Sequence, residues 1–574
     1  MALLFSLGLV HSWRGVDKDP ATGQPAIIEA QSVWRMRRIA LAIETSRLAQ
    51  TDSFLSFPGA TSSVSLPLYD EVMALGLRAF SAGKVGAPHR QVDEGLLMRA
   101  VLRIGPILGL IFCLGLYRWL KVLGGGSPRS NCMATLWCCC VPIFLQHSQP
   151  GMLSIELFTA LEALAASALL IAVFRSGAAL DRFTLGMVAG GLCGIGLVTS
   201  PLFLIMAFAA WCAYLWESLR NRGEERTEWV RAFLLFWITA ALGSQLPSLG
   251  GPWLPSQSGN PYAWTQLVSH VIIAGALPFL VFLWLPNKQW AAPGRVILPA
   301  CVLFVGLGAA VSAWVLGADH ASLALIFGSL QWAAGQSFDA SLTPGLLAVL
   351  LFGALGAALL LRSWQKEWSA QGILLTVWGA LTFPLVLLHE PAALFCLPVA
   401  GGIALRVLNA RANRWVGIGA LSIGLALGVW DSVSKHSTPD LEGLEIMQAA
   451  RELRQSTASP GAFNSVHPVH AWGVLADERS APLVAWYARR PCASLGPARN
   501  GDRQGRQALE LALTSNSANE LRTVLVSLGL RWSLLGSSSP GRLSRGGTSF
   551  PVLLEFLDWD DEGHGVRLRE IALP

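Results

Sequence analysis

Residues 102–122 have the sequence LRIGPILGLIFCLGLYRWLKV. The charged residues of this stretch, Arg103, Arg118 and Lys121, lie toward its two ends. About 20 apolar residues are enough for an α-helix to cross the roughly 30 Å hydrocarbon core of a bilayer. The stretch therefore predicts a membrane-spanning helix, and much of the remaining chain repeats its pattern.

The composition supports a membrane protein. Of the 574 residues 53% are hydrophobic and only 14% are charged, whereas about 25% of residues are charged in a soluble domain. From Gly105 to Trp430 apolar runs alternate with short polar links, and from Asp431 onward the charge density is ordinary. We predict a polytopic α-helical membrane protein with a C-terminal soluble α/β domain.

Apolar segments predict about 13 transmembrane helices. They lie near residues 1–12, 102–122, 131–147, 157–175, 183–199, 201–217, 231–248, 267–285, 296–317, 344–361, 371–388, 391–408 and 414–430. The first is short, and we interpret it as the second half of a helix whose start is missing. A cleaved signal peptide is the alternative, but the segment lacks the basic region of such a peptide.

The links between these spans alternate in charge. One set is basic and includes Arg129, Arg175 and Arg411. The other set has no lysine or arginine and comprises residues 148–156, 250–265 and 317–343. Because basic links stay in the cytoplasm, the pattern predicts a multi-pass protein of a prokaryotic plasma membrane with its C-terminal domain outside. A eukaryotic lumen is the alternative.

This topology divides the chain into a transmembrane domain, residues 1–430, and a C-terminal domain, residues 431–574. Within the first, residues 13–101 form a first external loop with amphipathic helices. One is predicted at Ile27–Ala49, where we expect it to lie in the lipid headgroup layer, and another begins at Leu66–Glu71. The C-terminal domain is predicted to contain helices near 441–455 and 518–528, with strands near 483–487, 531–535 and 566–571.

The distribution of charge argues against a nucleic-acid-binding protein, and the positions of the cysteines indicate no special role for them. The net charge of +6 comes without a block of lysine and arginine, so we expect membrane lipid and no nucleic acid as a partner. Most of the ten cysteines lie inside apolar runs, where we interpret them as small buried hydrophobic residues.

Three stretches stand out by their order and spacing. Residues 31–39 are QSVWRMRRI; DSFLSFPGA at 52–60 precedes PLYD at 67–70; and GVLA at 473–476 precedes RRP at 489–491. Together with the predicted architecture, these stretches resemble the catalytic-subunit family of oligosaccharyltransferase, in the GT-C class of membrane glycosyltransferases. The chain looks like a divergent member of that family.

The resemblance implies a reaction. Such enzymes transfer a glycan from a polyprenyl-linked phosphate or pyrophosphate to an acceptor polypeptide. A divalent ion, Mg²⁺ or Mn²⁺, neutralises the leaving phosphate and is held by acidic side chains near the outer membrane face.

Most of the implied acids are replaced in this chain. Gln31 occupies the position of the first-loop metal aspartate, with Glu29 nearby, and Ser154 stands where the second loop carries an acid, leaving Glu156. The further departures are Gln336–Ser337 beside Asp339, Arg479 at an acidic position, and the lack of an arginine between Arg362 and Arg406. We therefore expect no catalytic metal unless the site is retained in altered form.

The remaining candidates follow from these positions. The candidate catalytic acids are Glu29, Asp52, Asp70, Glu71 and Glu156, and the candidates for binding the donor phosphate are Arg37 and Arg38. Ordinary structural roles are the alternatives: Asp70 and Glu71 as a solvated pair at a helix start, and Glu156 as a favourable charge at a helix N-terminus.

Three interpretations of function stay open. The first is a divergent membrane glycosyltransferase that uses a polyprenyl-linked donor by altered chemistry. The second is a non-catalytic relative, a pseudoenzyme that binds a lipid-linked glycan or a partner protein. The third is a transporter, which we disfavour because transporters carry ionisable groups within their spans and these spans contain very few.

Overall fold

The structure is a computed structural model. It describes residues 26–45, 51–52, 61–62, 68–80, 92–124, 127–200, 202–249, 369–388, 392–409, 440–457, 473–477, 480–495, 517–535 and 567–571, together with 271, 275, 276 and 279. The predicted spans at 1–12, 267–285, 296–317, 344–361 and 414–430 lie wholly or almost wholly outside these residues. The span count of 13 therefore stays a prediction.

The first loop contains two described helices, α1 (Ala30–Thr45) and α2 (Leu68–Phe80). Between them, β1 (Thr51–Asp52) pairs antiparallel with β2 (Thr61–Ser62). Both helices were expected from the sequence, but the predicted position of the first in the headgroup layer is wrong. Its apolar and its basic residues are both covered by protein, whereas a helix among headgroups would leave its polar face to lipid and water.

The membrane bundle is built from nine described helices. In chain order they are α3 (Glu94–Gly124), α4 (Pro128–Cys139), α5 (Pro142–His147), α6 (Ile155–Arg175), α7 (Ala179–Thr199), α8 (Phe203–Arg220), α9 (Gly223–Leu249), α10 (Ala370–Leu388) and α11 (Ala392–Asn409). Among the described residues, α3, α6 and α7 are long and apolar enough to cross a membrane. The helical membrane class predicted from the sequence is thereby supported.

One predicted span differs from the structure. Residues 131–147 were expected to form a single helix, but α4 ends at Cys139 and α5 begins at Pro142. Proline has no backbone N–H, so Pro142 would remove a bond from the hydrogen-bond ladder of a preceding helix. It is well tolerated in the first turn of a new one, so the chain bends here and α5 leads toward the turn before α6.

Helices α7 and α9 approach each other at glycines. A Cβ atom at Gly190 would collide with the carbonyl oxygen of Phe236, and one at Gly194 would lie 2.8 Å from the amide nitrogen of Ser244. Small residues spaced four apart allow helix backbones to pack closely within a membrane. The two helices are thus fitted together backbone to backbone.

The C-terminal residues contain helix α12 (Leu441–Ser456), strand β3 (Gly473–Asp477), helix α13 (Ser480–Leu483) and strand β4 (Cys492–Leu495). Helix α14 (Ala518–Ser527) and strands β5 (Leu530–Leu535) and β6 (Arg567–Glu570) follow. The sheet has the order β4-β3-β5-β6, with β3 parallel to β4 and β5 and with β6 antiparallel to β5. The strand predicted at 483–487 is wrong, because Val484–Ala488 forms a π-helical turn that continues α13.

Two hydrophobic cores organise the described residues. One fills the helical bundle. The other is shared by α1, α2, the start of α3, α12 and the sheet. At its edge Glu94, in the first turn of α3, pairs with Arg454 at 3.4 Å and also with Arg489. The first loop and the C-terminal elements therefore pack together at one end of α3, although the exact domain boundaries stay a prediction.

Candidate functional site

The carboxylate of Glu29 caps helix α1. Its Oε1 atom accepts a hydrogen bond of 3.0 Å from the backbone N–H of Gln31, and its Oε2 atom accepts one from the N–H of Ser32. The first N–H groups of a helix have no partner within the helix, so a carboxylate placed there satisfies them. Both oxygens of this candidate acid are therefore engaged by the chain's own backbone.

Ser32 joins the first loop to the turn before α6. Its Oγ atom accepts a hydrogen bond of 2.9 Å from the backbone N–H of Leu153. Gln31 and Ser154, the residues that replace expected acids, are the direct neighbours of this bonded pair. The structure thus brings together the two segments to which the sequence resemblance assigns acidic positions.

Asp70 is the centre of a buried ionic triad. Its carboxylate lies 3.2 Å from Nη1 of Arg35 and 2.9 Å from Nε of Arg38, and its exposed fraction is 0%. The alternative prediction of a solvated helix-start pair is therefore wrong for Asp70. Both arginines also lie against aromatic rings, with the guanidinium of Arg38 4.8 Å from the centre of the Trp34 ring. Such contacts add to the attraction that holds a buried cation.

Arg37 and Arg38 are both covered. Their exposed fractions are 1% and 4%, so the structure does not place them at an open membrane surface. Arg38 is committed to Asp70, while Arg37 lies close enough to Arg489 that its charge contributes to lowering the pKa of Arg489, after the larger effect of burial. Their assignment to a donor phosphate stays a prediction.

The turn between α5 and α6 carries a short chain of polar side chains. Nδ1 of His147 lies 2.7 Å from Oγ of Ser154, and the Ser154 hydroxyl lies 3.1 Å from Oε2 of Glu156. Ser154 also caps α6 by accepting the N–H of Leu157 at 3.0 Å. The side chain of Glu156 is 20% exposed, whereas that of Asp70 is fully buried.

These groups form one site, which we call the polar junction. It consists of Arg35, Arg38, Tyr69, Asp70, His147, Ser154 and Glu156. Burial acts to lower the pKa of Arg35, but the negative charges of Asp70 and Glu156 outweigh it and raise that pKa above its ordinary value. Burial also raises the pKa of Tyr69, so its hydroxyl keeps its proton and can act as a hydrogen-bond donor.

Glu71 lies beside the junction and is half-buried. Burial, followed by the nearby charge of Asp70, raises the pKa of Glu71 to about 7. A carboxyl whose pKa is raised in the folded state favours folding at low pH, and this contribution is lost as the pH rises toward about 7. Near neutral pH Glu71 is thus poised between its neutral and charged forms.

The other candidates lie apart from the junction or outside the described residues. The backbone of Asp52 belongs to β1, but its side chain is not described. Asp339 and Arg479 lie outside the described residues. Asp477 ends β3, is 2% exposed, and accepts the N–H of Ser480 at 2.6 Å, so that it caps α13.

Comparison with known proteins identifies solved structures that share this fold. No family model matches the chain, and no curated protein matches it. Solved structures do match: the archaeal oligosaccharyltransferase AglB from Archaeoglobus fulgidus, in complex with an inhibitory peptide and a dolichol-phosphate, has a TM-score of 0.68 at 14% sequence identity, with 93% of this chain and 69% of that one covered. The chain has the fold of an oligosaccharyltransferase.

Other structures of the same enzyme agree with this oligosaccharyltransferase fold. The form tethered to an acceptor peptide containing the NVT sequon has a TM-score of 0.65 at 15% identity, covering 93% of this chain and 68% of that one. The complex with Zn and sulfate has a TM-score of 0.61 at 15% identity, covering 96% and 70%. The resemblance drawn from the sequence is confirmed at the level of fold.

The described residues do not fit the divalent metal that an oligosaccharyltransferase fold suggests. Both oxygens of Glu29 accept backbone N–H groups, and the hydroxyl of Ser154 is engaged on three sides. Within the described part of the chain there is no group of three or more His, Cys, Asp or Glu residues arranged to hold a metal. A divalent cation binds best to several charged or carbonyl oxygens, and Glu156 alone supplies only one such side chain.

We therefore predict weak metal binding. Titration of the purified protein with Mn²⁺ in a calorimeter is expected to show no saturable site tighter than roughly millimolar, since the described residues offer one carboxylate in place of a set of ligands. The matched variant is Glu156→Ala, which should bind Mn²⁺ no differently from the wild type. A micromolar site that disappears in Glu156→Ala would show that the donor set has been misjudged.

Sequence reasoning missed two residues of interest. His147 lies nine positions before Glu156, and only the turn at Gly151, which has a φ of 86°, brings the two together. Glu162 lies on α6, where it is 8% exposed and accepts a 3.1 Å hydrogen bond from Thr199. An ionisable residue in an apolar helix is itself a signal of a special role, and that signal was available in the sequence.

Proposed function

We propose that this protein is a divergent oligosaccharyltransferase-like membrane glycosyltransferase. It handles a sugar linked to a polyprenyl phosphate or pyrophosphate and transfers that sugar to an acceptor polypeptide. The observation that carries the proposal is the agreement of fold with an oligosaccharyltransferase over 93% of this chain, which extends beyond the membrane bundle. Fold alone does not fix function, so the polar junction supplies the second part of the argument.

The polar junction is the proposed reaction site. It lies where α1, α2 and the start of α6 meet, and the bond from Leu153 to Ser32 fixes its two sides together. It combines positive groups, Arg35 and Arg38, with a carboxylate at Glu156 whose side chain is 20% exposed. Positive groups are suited to a lipid phosphate, and an accessible carboxylate is suited to orienting or activating an acceptor.

The proposed reaction does not require the complete set of acidic metal ligands that the family resemblance implies. Among the catalytic candidates, Glu29 serves as a helix cap and Asp70 neutralises two arginines. Glu156 is the acid that the proposal retains for chemistry, while Asp52 stays a candidate through its position in the sequence. A role for Mg²⁺ or Mn²⁺ would require ligands from the part of the chain that is not described.

A specific observation also favours a second function, a non-catalytic relative that binds a lipid-linked glycan or a partner protein. The buried Asp70 is paired with both Arg35 and Arg38. This is expected if the carboxylate of Asp70 stabilises the fold and takes no part in catalysis. The two functions share donor binding and differ in whether sugar reaches an acceptor.

The proposed location is the outer face of a prokaryotic plasma membrane. The alternation of basic links supports this orientation. The core shared by the first loop and the C-terminal elements supports their lying on one side of the membrane. The partners proposed are membrane lipid, a polyprenyl-linked glycan and an acceptor polypeptide.

Donor binding tests the proposal. In liposomes, the full chain should bind lipid-linked sugars extracted from the source membranes at least tenfold more tightly than it binds phosphatidylglycerol. The double change Arg37→Gln and Arg38→Gln should abolish that preference if the pair holds the phosphate, because a guanidinium forks onto phosphate oxygens and an amide does not. Since Arg38 also pairs with Asp70, binding is measured well below the unfolding temperature of the variant. Incubation with a peptide containing an NVT sequon, followed by mass spectrometry, separates a transferase from a binder.

The matched control changes two exposed arginines, Arg99 and Arg103, to glutamine. Both lie on the first turns of α3 and are exposed, so this variant loses the same charge without touching α1. It should keep the preference for the lipid-linked sugar. An equal loss of binding for every anionic lipid in the Arg37 and Arg38 variant would reduce their role to attraction by lipid headgroups, which fades with salt.

A further inference from the structure

A cavity of about 440 Å³ lies between the last turns of α3 and α11. Its volume falls in the range of about 300–1,000 Å³ in which proteins hold small ligands. The cavity is at the opposite end of α3 from Glu94 and the polar junction, and therefore on the predicted cytoplasmic side. Among the described residues, its walls are formed by Leu123, Gly124, Gly402, Leu405, Arg406 and Asn409.

Two glycines bring α3 and α11 into contact at the cavity walls. A Cβ atom at Gly124 would lie 2.6 Å from Cδ2 of Leu405, and one at Gly402 would lie 2.8 Å from Cδ2 of Leu123. Small residues of this kind allow membrane helices to approach closely. The walls of the cavity thus belong to one helix–helix contact.

The polar lining of the cavity comes from Arg406 and Asn409. The two residues are three positions apart, so they share one face in the last turn of α11, and both are exposed. Within the described part of the chain, neither makes a hydrogen bond or an ion pair, and no acidic residue lines the cavity. The cavity therefore offers a guanidinium and an amide to a ligand that is negatively charged and accepts hydrogen bonds.

Further positive charge surrounds this end of α3. Arg175 donates hydrogen bonds to the carbonyl oxygens of Val122 and Leu123, the second at 2.6 Å. The last carbonyl groups of a helix carry partial negative charge, so Arg175 offsets the part of α3 that would repel an anion. Lys121 is exposed one turn before Gly124 and adds a second positive charge.

An apolar face of α3 leads along the helix toward the cavity. A membrane helix presents such exposed apolar side chains to the acyl chains of lipid. Val122, at the end of this face, directly precedes Leu123 in the cavity wall. A ligand with acyl chains would gain contact with the face, whereas a free phosphate would not. The exposed apolar residues of α3 are Ile107, Leu110, Ile111, Leu114 and Val122.

We propose that this cavity binds the phosphate group of an anionic phospholipid from the predicted cytoplasmic leaflet. Arg406 forks onto the phosphate oxygens, Asn409 donates to an oxygen of the headgroup, and the acyl chains lie along the exposed face of α3. Basic pockets between membrane helices on this side are suited to such headgroups. The inference is independent of the proposed function, because the cavity lies at the other end of α3 from the polar junction.

Native mass spectrometry of the delipidated full chain tests the proposal. The probes are dioleoyl phosphatidylglycerol and dioleoyl phosphatidylcholine, which share their acyl chains and differ in net charge. The wild type should bind one copy of the phosphatidylglycerol at least about tenfold more tightly, the usual effect of a hydrogen bond between charged groups. Equal affinity for the two lipids would overturn the proposal.

A competition experiment separates a lipid from a free phosphate. Glycerol 3-phosphate carries the phosphate but no acyl chains, so a large excess of it should leave the phosphatidylglycerol bound. If the two compounds compete at similar concentrations, the cavity is a site for soluble anions and the assignment to lipid is wrong.

Two variants locate the bound lipid in the cavity. Arg406→Gln should remove the preference for phosphatidylglycerol. Asn409→Phe keeps every charge but fills the cavity with a ring, and it should weaken binding to a similar extent. Because Asn409 is exposed at the end of α11, the unfolding temperature of this variant without lipid should stay close to that of the wild type. Wild-type binding in Asn409→Phe would show that the lipid does not enter the cavity.

Arg222→Gln is the matched control. Arg222 is exposed in the basic link between α8 and α9, on the same predicted side of the membrane, and it does not line the cavity. This variant should keep the preference for phosphatidylglycerol. An equal loss in Arg222→Gln and Arg406→Gln would reduce the effect to general attraction between basic residues and anionic lipid, which salt screens, and would overturn the proposed site.

Discussion

Changing Asp70 to asparagine is expected to destabilise the folded protein by about 3–5 kcal/mol, the usual effect of breaking a buried ion pair. The variant would leave Arg35 and Arg38 facing a neutral amide in a site where Asp70 has an exposed fraction of 0%. Burial of a charge without a partner is costly because water can no longer solvate it. Thermal or denaturant unfolding of the purified chain in detergent would measure the loss.

The adjacent residue provides the control for this prediction. Glu71 is half-buried and its pKa is about 7, so at about pH 6 it is largely protonated and glutamine should replace it at a cost below about 1 kcal/mol. A second test replaces the whole triad by the changes Asp70→Leu, Arg35→Met and Arg38→Met. This triple variant should recover much of the free energy of unfolding that Asp70→Asn loses. If Asp70→Asn were as stable as Glu71→Gln, the triad would not be the buried unit described above.

Gly190→Ala is expected to destabilise the helical bundle by about 1–3 kcal/mol or more, as overpacking does in a tightly fitted interior. The added methyl group would collide with the carbonyl oxygen of Phe236 on α9. Backbone atoms of a helix cannot turn aside as a flexible side chain can, so α7 and α9 would have to separate. The unfolding temperature in detergent and the yield of folded protein would report this effect.

The next residue gives a matched control. A Cβ atom at Gly191 would meet no atom within 4 Å among the described residues, and alanine favours a helix over glycine by up to about 1 kcal/mol. Gly191→Ala should therefore be neutral or slightly stabilising. Equal behaviour of the two variants would contradict the close packing of α7 against α9.

The helices could be predicted well because their signal is local. Apolar runs of sufficient length located α3, α6 and α7 to within a few residues, except where α3 extends as far as Glu94. The break between α4 and α5 could have been inferred from Pro142, since proline acts within its own turn. The amphipathic start of α2 was likewise visible in the sequence.

The surroundings of each helix could not be predicted in the same way. The burial of α1 depends on residues far along the chain, such as Tyr487, whose hydroxyl donates to the carbonyl oxygen of Ile27 at 2.7 Å. The apolar residues 483–487 fit a strand by composition, but a short apolar run can also form a buried helical turn. The burial of α1 and the helical conformation of residues 483–487 therefore both depend on tertiary contacts.

The candidate site was anticipated in part. The resemblance directed attention to Gln31, Ser154 and Glu156, and the structure places those segments side by side through the bond from Leu153 to Ser32. The pairing of Asp70 with Arg35 joins residues 35 positions apart, and no periodicity in the sequence encodes it. The contact of His147 with Ser154 depends on a turn at Gly151 and was equally hidden.

The length of α3 has a mechanical consequence. Its 31 residues span about 46 Å at 1.5 Å per residue, about 16 Å more than the hydrocarbon thickness of an average bilayer. A thicker or thinner bilayer changes the tilt of a helix that crosses it. Because Glu94, in the first turn of α3, pairs with Arg454 of α12 and with Arg489, we expect a change of tilt to be transmitted to the C-terminal elements. We therefore expect the thickness of the host membrane to affect the position of α12 relative to the helical bundle.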